Sequence, residues 1–447
     1  MIRLYTLLST NNKYVTITVI LPIVLLSFFI STAHVYCQPQ KNLGADDTSQ
    51  LPDSLKTVHA KYSAQQRWEK IVDFPGKVLY TPFYLTFLGA EKTAEYIVTP
   101  KVVQRIAESL AAYKPKFISF KYSSRHGAGL AYNHRNVFNT GAKFDISGQM
   151  GLRNRYRLRT RLTGLKCFSD RLTTDFLVWH RFLSDESFYG IGNDTKKKDE
   201  SDYGLKQTRV EMRVGTHISD TIFLNSWFGI DVNRITLGWD DDRPNMADQY
   251  TETDMPGLGD KTTIARVHIE IRYNTLNTVK RPTSGGVLYL KGGVFRDVMT
   301  DKYGIWKISA DYRRYIHLFR NRTFIVRVSG ERTDTLSGSE IPFYYLTQLG
   351  SEETVRGFTR DRFRHRDMMM MSLEYTYHIY RDVLDALVFI DGGQVAGNIF
   401  EDFSLSDFHT GYGTGLNVWG SDSITIQALV GISNERTRFH LSWNKHY

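Results

Sequence analysis

The chain has 447 residues, with 57 Lys and Arg against 47 Asp and Glu for a formal net charge of +10. It holds 34 Gly, 11 Pro and 26 each of Tyr and Phe, a balance that suits many strands joined by turns and speaks against a helical bundle. The length leaves two or three soluble domains or one large barrel, and no zinc-finger spacing, phosphate loop or dinucleotide fingerprint stands behind the positive charge, so nucleic acid is not expected as a partner.

At the N-terminus, Arg3 and Lys13 precede an apolar run from Val15 to Ala33. This predicts a signal peptide over residues 1–37, cleaved between Ala33 and Gln38; the alternative is a membrane-anchor helix, since the run just reaches bilayer length. Tyr36 is too large for the position before a lipidated cysteine, so Cys37 is not read as a lipid anchor. Cys167 is then alone in the mature chain and no internal disulfide can form. Residues 38–115 form the next segment, periplasmic or a plug, which starts polar and disordered. It continues into a helix with Thr99 as N-cap and Pro100 at the first helical position. Val102, Val103, Ile106 and Leu110 share one face of that helix, which should lie against the rest of the protein rather than in water.

From about residue 116 the apolar period changes from 3.6 to 2. In "RNRYRLRTRL", Arg153, Arg155, Arg157, Arg159 and Arg161 alternate with Tyr156, Leu158, Thr160 and Leu162, giving a basic ladder on one face. "GAKFDISGQ", "KQTRVEMRV", "IARVHIEIRY" and "IWKISADYRR" repeat the arrangement of one charged and one apolar face. The segments run about nine to thirteen residues, the length a tilted strand needs to cross a bilayer. Short connectors such as "GLRN" and "SDT" alternate with long ones such as Leu237 to Thr262, which fits short periplasmic turns and long outer loops. About sixteen segments lie between 116 and 447. The fold class is therefore all-β, a transmembrane antiparallel β-barrel of about 16 strands with its apolar side outward, preceded by a short, partly helical segment.

Six stretches of the C-terminal third occur in a telling order: "IPFYYLTQLGSEETVRGF", "MMSLEYTYHIY", "LVFIDGGQV", and the closing "GYGTGLNVW", "ITIQALVGIS" and "TRFHLSW". In this the chain resembles the bacterial surface antigen family, the BamA/TamA-type outer-membrane assembly and secretion barrels, with weaker resemblance back through "SFYGIGNDT". The resemblance implies a sixteen-strand barrel over 116–447 whose sixth outer loop carries the motif Val355, Arg356, Gly357 and Phe358. Alternation in the flanking strands turns Glu374 and Asp391 toward the lumen, where Arg356 can bridge both carboxylates, and the family motif implies the same contact. Phe439, Leu441, Trp443 and Tyr447 keep the alternating C-terminal signal read by assembly machinery, interrupted by Lys445. Residues 38–115 are barely long enough for one polypeptide-transport-associated domain and lack its strand and helix order.

Three functions compete. An assembly or translocation factor would have outer-membrane lipid and lipopolysaccharide around it and unfolded outer-membrane clients or periplasmic partners. A passive pore or structural surface antigen would favour anions through the arginine ladder, which Asp145 and Asp175 only partly offset. An enzyme would need a nucleophile or water-activating cluster, whereas His126, His134, His180, His217 and His268 are scattered. No enzyme activity, cofactor or metal is expected, and the charges at 196–200 and 240–242 read as solvated loops.

Overall fold

The computed structural model of the protein describes residues 117–445, apart from positions 124, 138, 169–170, 241, 280, 320–321, 381–383 and 420–423. The expected signal peptide, residues 38–115 with the helix expected there, and Tyr447 lie outside the described residues. Eighteen strands follow one another: β1 Ile118–Ser123, β2 Gly127–Val137, β3 Ala142–Met150, β4 Tyr156–Cys167, β5 Leu172–Phe188, β6 Ser201–His217, β7 Ile222–Leu237, β8 Lys261–Asn274 and β9 Gly285–Asp297. The second half comprises β10 Gly304–His317, β11 Arg322–Thr335, β12 Thr347–Leu349, β13 Phe363–His365, β14 Asp367–Tyr380, β15 Leu384–Ala396, β16 His409–Trp419, β17 Ile424–Ser433 and β18 Thr437–Lys445. All but β12 and β13 form one 16-stranded sheet in chain order, every neighbouring pair antiparallel.

The alternation in the sequence is what closes this sheet into a barrel with an apolar exterior. Along β8, Val267, Ile269 and Ile271 are exposed on the outside, while the intervening Arg266 and Glu270 are buried within. Leu130, Ile146, Leu158, Phe228, Ile308, Leu373 and Ile390 continue the exterior band around the sheet. In water such a surface would be costly; against lipid it is the stable arrangement. Strand length in the sixteen-stranded sheet departs from the nine to thirteen residues expected, ranging from 6 in β1 to 17 in β5 and β6. The long strands project past the band and carry a second core, in which Phe188, Tyr203 and Leu205 pack on Met246, Met255 and Leu258 of the β7–β8 loop and on Phe343 of the β11–β14 loop.

The connectors do not divide into short and long by end of the barrel. "SDT" follows β6, but "GLRN" follows β3 and so lies at the same end as the long β7–β8 loop. An ion pair across that end joins them, Arg153 to Asp240 at 2.9 Å. Short turns therefore occur at both ends. At the outer loops, Glu252 accepts the N–H groups of Gly257 and Gly259 at 2.8 and 2.6 Å, the Lys302 ammonium at 3.0 Å and the Tyr303 hydroxyl at 2.7 Å.

The barrel has a seam. β1 pairs only with β2 and β18 only with β17, and among the described residues no ladder joins the two end strands, although they come within 8 Å of each other at Cα.

Candidate functional site

The chain between β11 and β14 turns back into the lumen, where β12 and β13 pair with each other. Val355 and Phe358 anchor its tip in a buried cluster with Leu349, Phe363, Met368, Met370 and Val395, and Phe358 meets the Phe363 and His409 rings at 5.4 and 5.7 Å. Between these anchors the chain must reverse, and Gly357 does so at φ 123°, a region that side chains disfavour.

The reversal aims Arg356 at the inner faces of β14 and β15. Its Nε and Nη2 donate to the two oxygens of Asp391 at 2.8 and 2.7 Å, and its backbone N–H donates to the same carboxylate at 3.0 Å. Nη1 donates to Glu374 at 2.7 Å and Nη2 to the Ser372 hydroxyl at 3.1 Å. The guanidinium centre lies 3.5 Å from the centroid of the Phe389 ring, which forms its floor. Asp391 has no side-chain exposure and Arg356 only 9%, so charge-assisted bonds replace water for the whole group. Glycines on the facing wall make room: a Cβ at Gly411 would strike the Arg356 carbonyl oxygen, and one at Gly431 would stand 2.8 Å from its carbonyl carbon.

The same loop touches both sides of the seam. Ser433 donates to the Gly357 carbonyl at 3.0 Å, Arg362 to Glu435 at 2.9 Å and Arg438 to Thr359 at 3.2 Å, all on the β17–β18 side. On the other side, Arg125 of the β1–β2 turn approaches Asp361 at 3.8 Å. Arg362 also donates to the Thr195 hydroxyl and carbonyl at 2.8 and 2.7 Å, tying the loop to the "SFYGIGNDT" segment.

The basic ladder is shorter than the alternation suggests. Arg153 and Asn154 take left-handed φ angles of 57° and 60° as the centre of a hairpin turn. β4 begins only at Tyr156, so Arg157, Arg159 and Arg161 alone share its inner face. Period-2 counting cannot see a turn whose residues happen to keep the period. Arg159 pairs with Asp145 at 3.1 Å, Arg157 donates to Gln149 at 2.5 Å, and both Arg153 and Arg155 hold Asp185. Asp175 is taken by Arg213. Phe439 and Leu441 face outward on β18, exposed; the side chain of Trp443 lies outside the described residues.

A second cluster escaped the sequence reading. Arg281, from the connector between β8 and β9, reaches the far wall and binds Asp385 of β15 and His378 of β14. His378 Nδ1 lies 2.6 Å from Asp385, and the Trp419 indole donates to Asp385 at 2.5 Å. The available signal was parity, because Asp385 lies on the same face of β15 as Asp391; its partner 104 residues away had none. Beside the inner loop, a cavity of about 590 Å³ is lined by Lys291, Lys307, Asp311, Arg313, Arg327 and Glu331. Within it Lys307 pairs with Glu331 and Asp311 with both arginines. Among the described residues no group of three or more His, Cys, Asp or Glu side chains is placed to hold a metal ion.

A family model described as "Omp85 superfamily domain" matches residues 136–424, more than half of the chain. Among solved structures, BamA from Haemophilus ducreyi lacking POTRA domains 1–3 is similar at 14% identity and a TM-score of 0.54, over 74% of this chain and 69% of that one. At that identity the likeness speaks for the fold. CdiB from Escherichia coli is similar at 10% identity and a TM-score of 0.48, over 74% of this chain and 62% of that one, too distant a likeness to carry an argument.

Proposed function

The chain belongs to the Omp85 superfamily, and from that premise we propose that this outer-membrane barrel inserts other barrel proteins into the membrane or passes polypeptide across it, with the Arg356 loop as the clasp of its resting state. In this reading residues 1–37 are the signal peptide, 38–115 a periplasmic or plug segment, and unfolded outer-membrane proteins the clients. The observation that carries the proposal is the seam. Two edge strands that share no ladder among the described residues stand side by side, an arrangement that invites pairing with another strand. The inner loop holds both margins of that seam from within through Arg362, Thr359, Gly357 and Asp361. Arg356, fixed to β14 and β15, sets where that loop lies.

The test is reconstitution of the full chain in liposomes, with the folding of a urea-unfolded outer-membrane barrel followed by its heat-dependent gel shift. Acceleration by the wild-type protein, changed by Arg356→Ala, is the expected result. A passive pore is the second reading, favoured by the polar cavity beside the loop. Steady anion-selective current in planar bilayers without any acceleration of folding would establish that reading in place of the first.

A further inference from the structure

At the outer end of the seam lies a cavity of about 170 Å³, bounded by the β1–β2 turn, the end of β5, the inner loop and β18. Two of its side chains have a buried nitrogen without a partner among the described residues, and a third is an arginine without a carboxylate. His440 is 9% exposed, its Nε2 has no partner among the described residues, and its Nδ1 stands 3.9 Å from Glu352, too far for a hydrogen bond. Arg438 donates to the Thr359 hydroxyl at 3.2 Å and, among the described residues, has no carboxylate within 4.0 Å. Buried Nε of Arg125 is also without a partner among the described residues. The carboxylates that share the cavity are already held: Asp185 by Arg153 and Arg155, Glu186 by Arg125, Glu352 by Arg360, and Asp361 within 3.8 Å of both Arg125 and Arg364. What remains is one arginine without a carboxylate and two buried nitrogens without a partner among the described residues, a costly state for buried groups unless something accepts from them.

The position of the cavity limits what that acceptor is. Phe439 lines it between the inward-facing Arg438 and His440, yet is 74% exposed on the lipid side, and Leu441 follows on the same outer face. A ligand here can place an anionic group among Arg125, Arg438 and His440 while an apolar tail lies along Phe439 and Leu441. We propose that this cavity binds the phosphate group of a membrane lipid at the outer end of the β1–β18 seam. Arginine suits a phosphate because its planar fork meets two oxygens at once. A lipid seated there fills the gap that the missing ladder leaves, and its departure accompanies any opening of the seam; the site stands whether or not the barrel is an insertase.

Native mass spectrometry of the full chain released from detergent tests the assignment, with phosphatidic acid, diacylglycerol of the same chains, and inorganic phosphate as probes. The wild-type protein should retain phosphatidic acid at least tenfold better than diacylglycerol, and Arg438→Gln should lower that retention about tenfold. His440→Gln provides the same comparison if Arg438→Gln loses the heat-dependent gel shift of a folded barrel. Equal retention of phosphatidic acid and diacylglycerol overturns the proposal, as does retention unchanged in a folded variant. Inorganic phosphate that binds alone and displaces phosphatidic acid at equal concentration shows a free-anion site and overturns the lipid assignment.

Discussion

Two arginines reach the same pair of strands from opposite ends of the barrel, and they are held on different terms. Arg356 arrives from the β11–β14 loop and meets Asp391 and Glu374; Arg281 arrives from the β8–β9 connector and meets Asp385. Asp391 and Asp385 have no side-chain exposure and share the inner face of β15, six residues or roughly 20 Å apart. Among the described residues Asp391 draws its charged donors from Arg356 alone, helped by the Ser372 hydroxyl at 2.7 Å. Asp385 is shared among Arg281, His378 and Trp419. With its arginine side chain removed, Asp391 keeps a backbone N–H and the Ser372 hydroxyl, whereas Asp385 keeps the His378 ring and the Trp419 indole. Arg356 also satisfies Glu374, so its loss leaves two carboxylates without a cation where the loss of Arg281 leaves one.

The largest effect should come from Arg356→Ala, which leaves Asp391 and Glu374 in the lumen with no cation and costs about 3–5 kcal/mol. The midpoint temperature of the heat-dependent gel shift checks it, and a midpoint equal to wild type would remove the distinction drawn between the two sites. Arg281→Ala should cost less, about 1–3 kcal/mol, because His378 and Trp419 still bond Asp385. The double variant should show the sum of the two within about 0.5 kcal/mol, as sites so far apart do not share partners. Coupling beyond that would mean that the two attachments act as one.

Gly411→Ala probes the Arg356 site without touching its charges. The new Cβ meets the Arg356 carbonyl oxygen, so an overpacking cost of about 1–3 kcal/mol is expected, with faster proteolysis of the 350–362 loop as the readout. The same alanine at Gly292, where a Cβ meets nothing within 4 Å, should be silent.

The smallest effect concerns acid, and it separates the outer loops from both arginine sites. Burial alone would raise the Glu252 carboxyl, but the Gly259 and Gly257 N–H groups, with Tyr303 and Lys302, hold it down at about 2 from an ordinary 4.5. A carboxyl depressed in the folded state contributes stability above its unfolded value, and that contribution fades as pH falls from about 4.5 toward 2. Hydrogen exchange in the 250–260 loop should therefore quicken over that window, and Glu252→Gln should abolish the pH dependence.

The sequence by itself determined the faces of the strands. Because side chains alternate with period 2, the positions of Ser372, Glu374, Phe389 and Asp391 on the inner wall follow from counting, as do Leu373 and Ile390 on the outer one. Gly357 was legible as a member of the motif, and the sharp reversal it serves suits it, since a residue without Cβ takes φ 123° at little cost. Alternation is a local property, however, and it carries no information about what faces a residue across the lumen. Only the tertiary structure turned Arg153 and Asn154 into a hairpin turn, placed "GLRN" at the long-loop end, brought Arg281 to Asp385, and left His440 and Arg438 beside an unpaired seam. Those contacts join residues far apart in the chain, and they form because closing sixteen strands around a narrow interior forces buried charges to find partners wherever the curvature puts them.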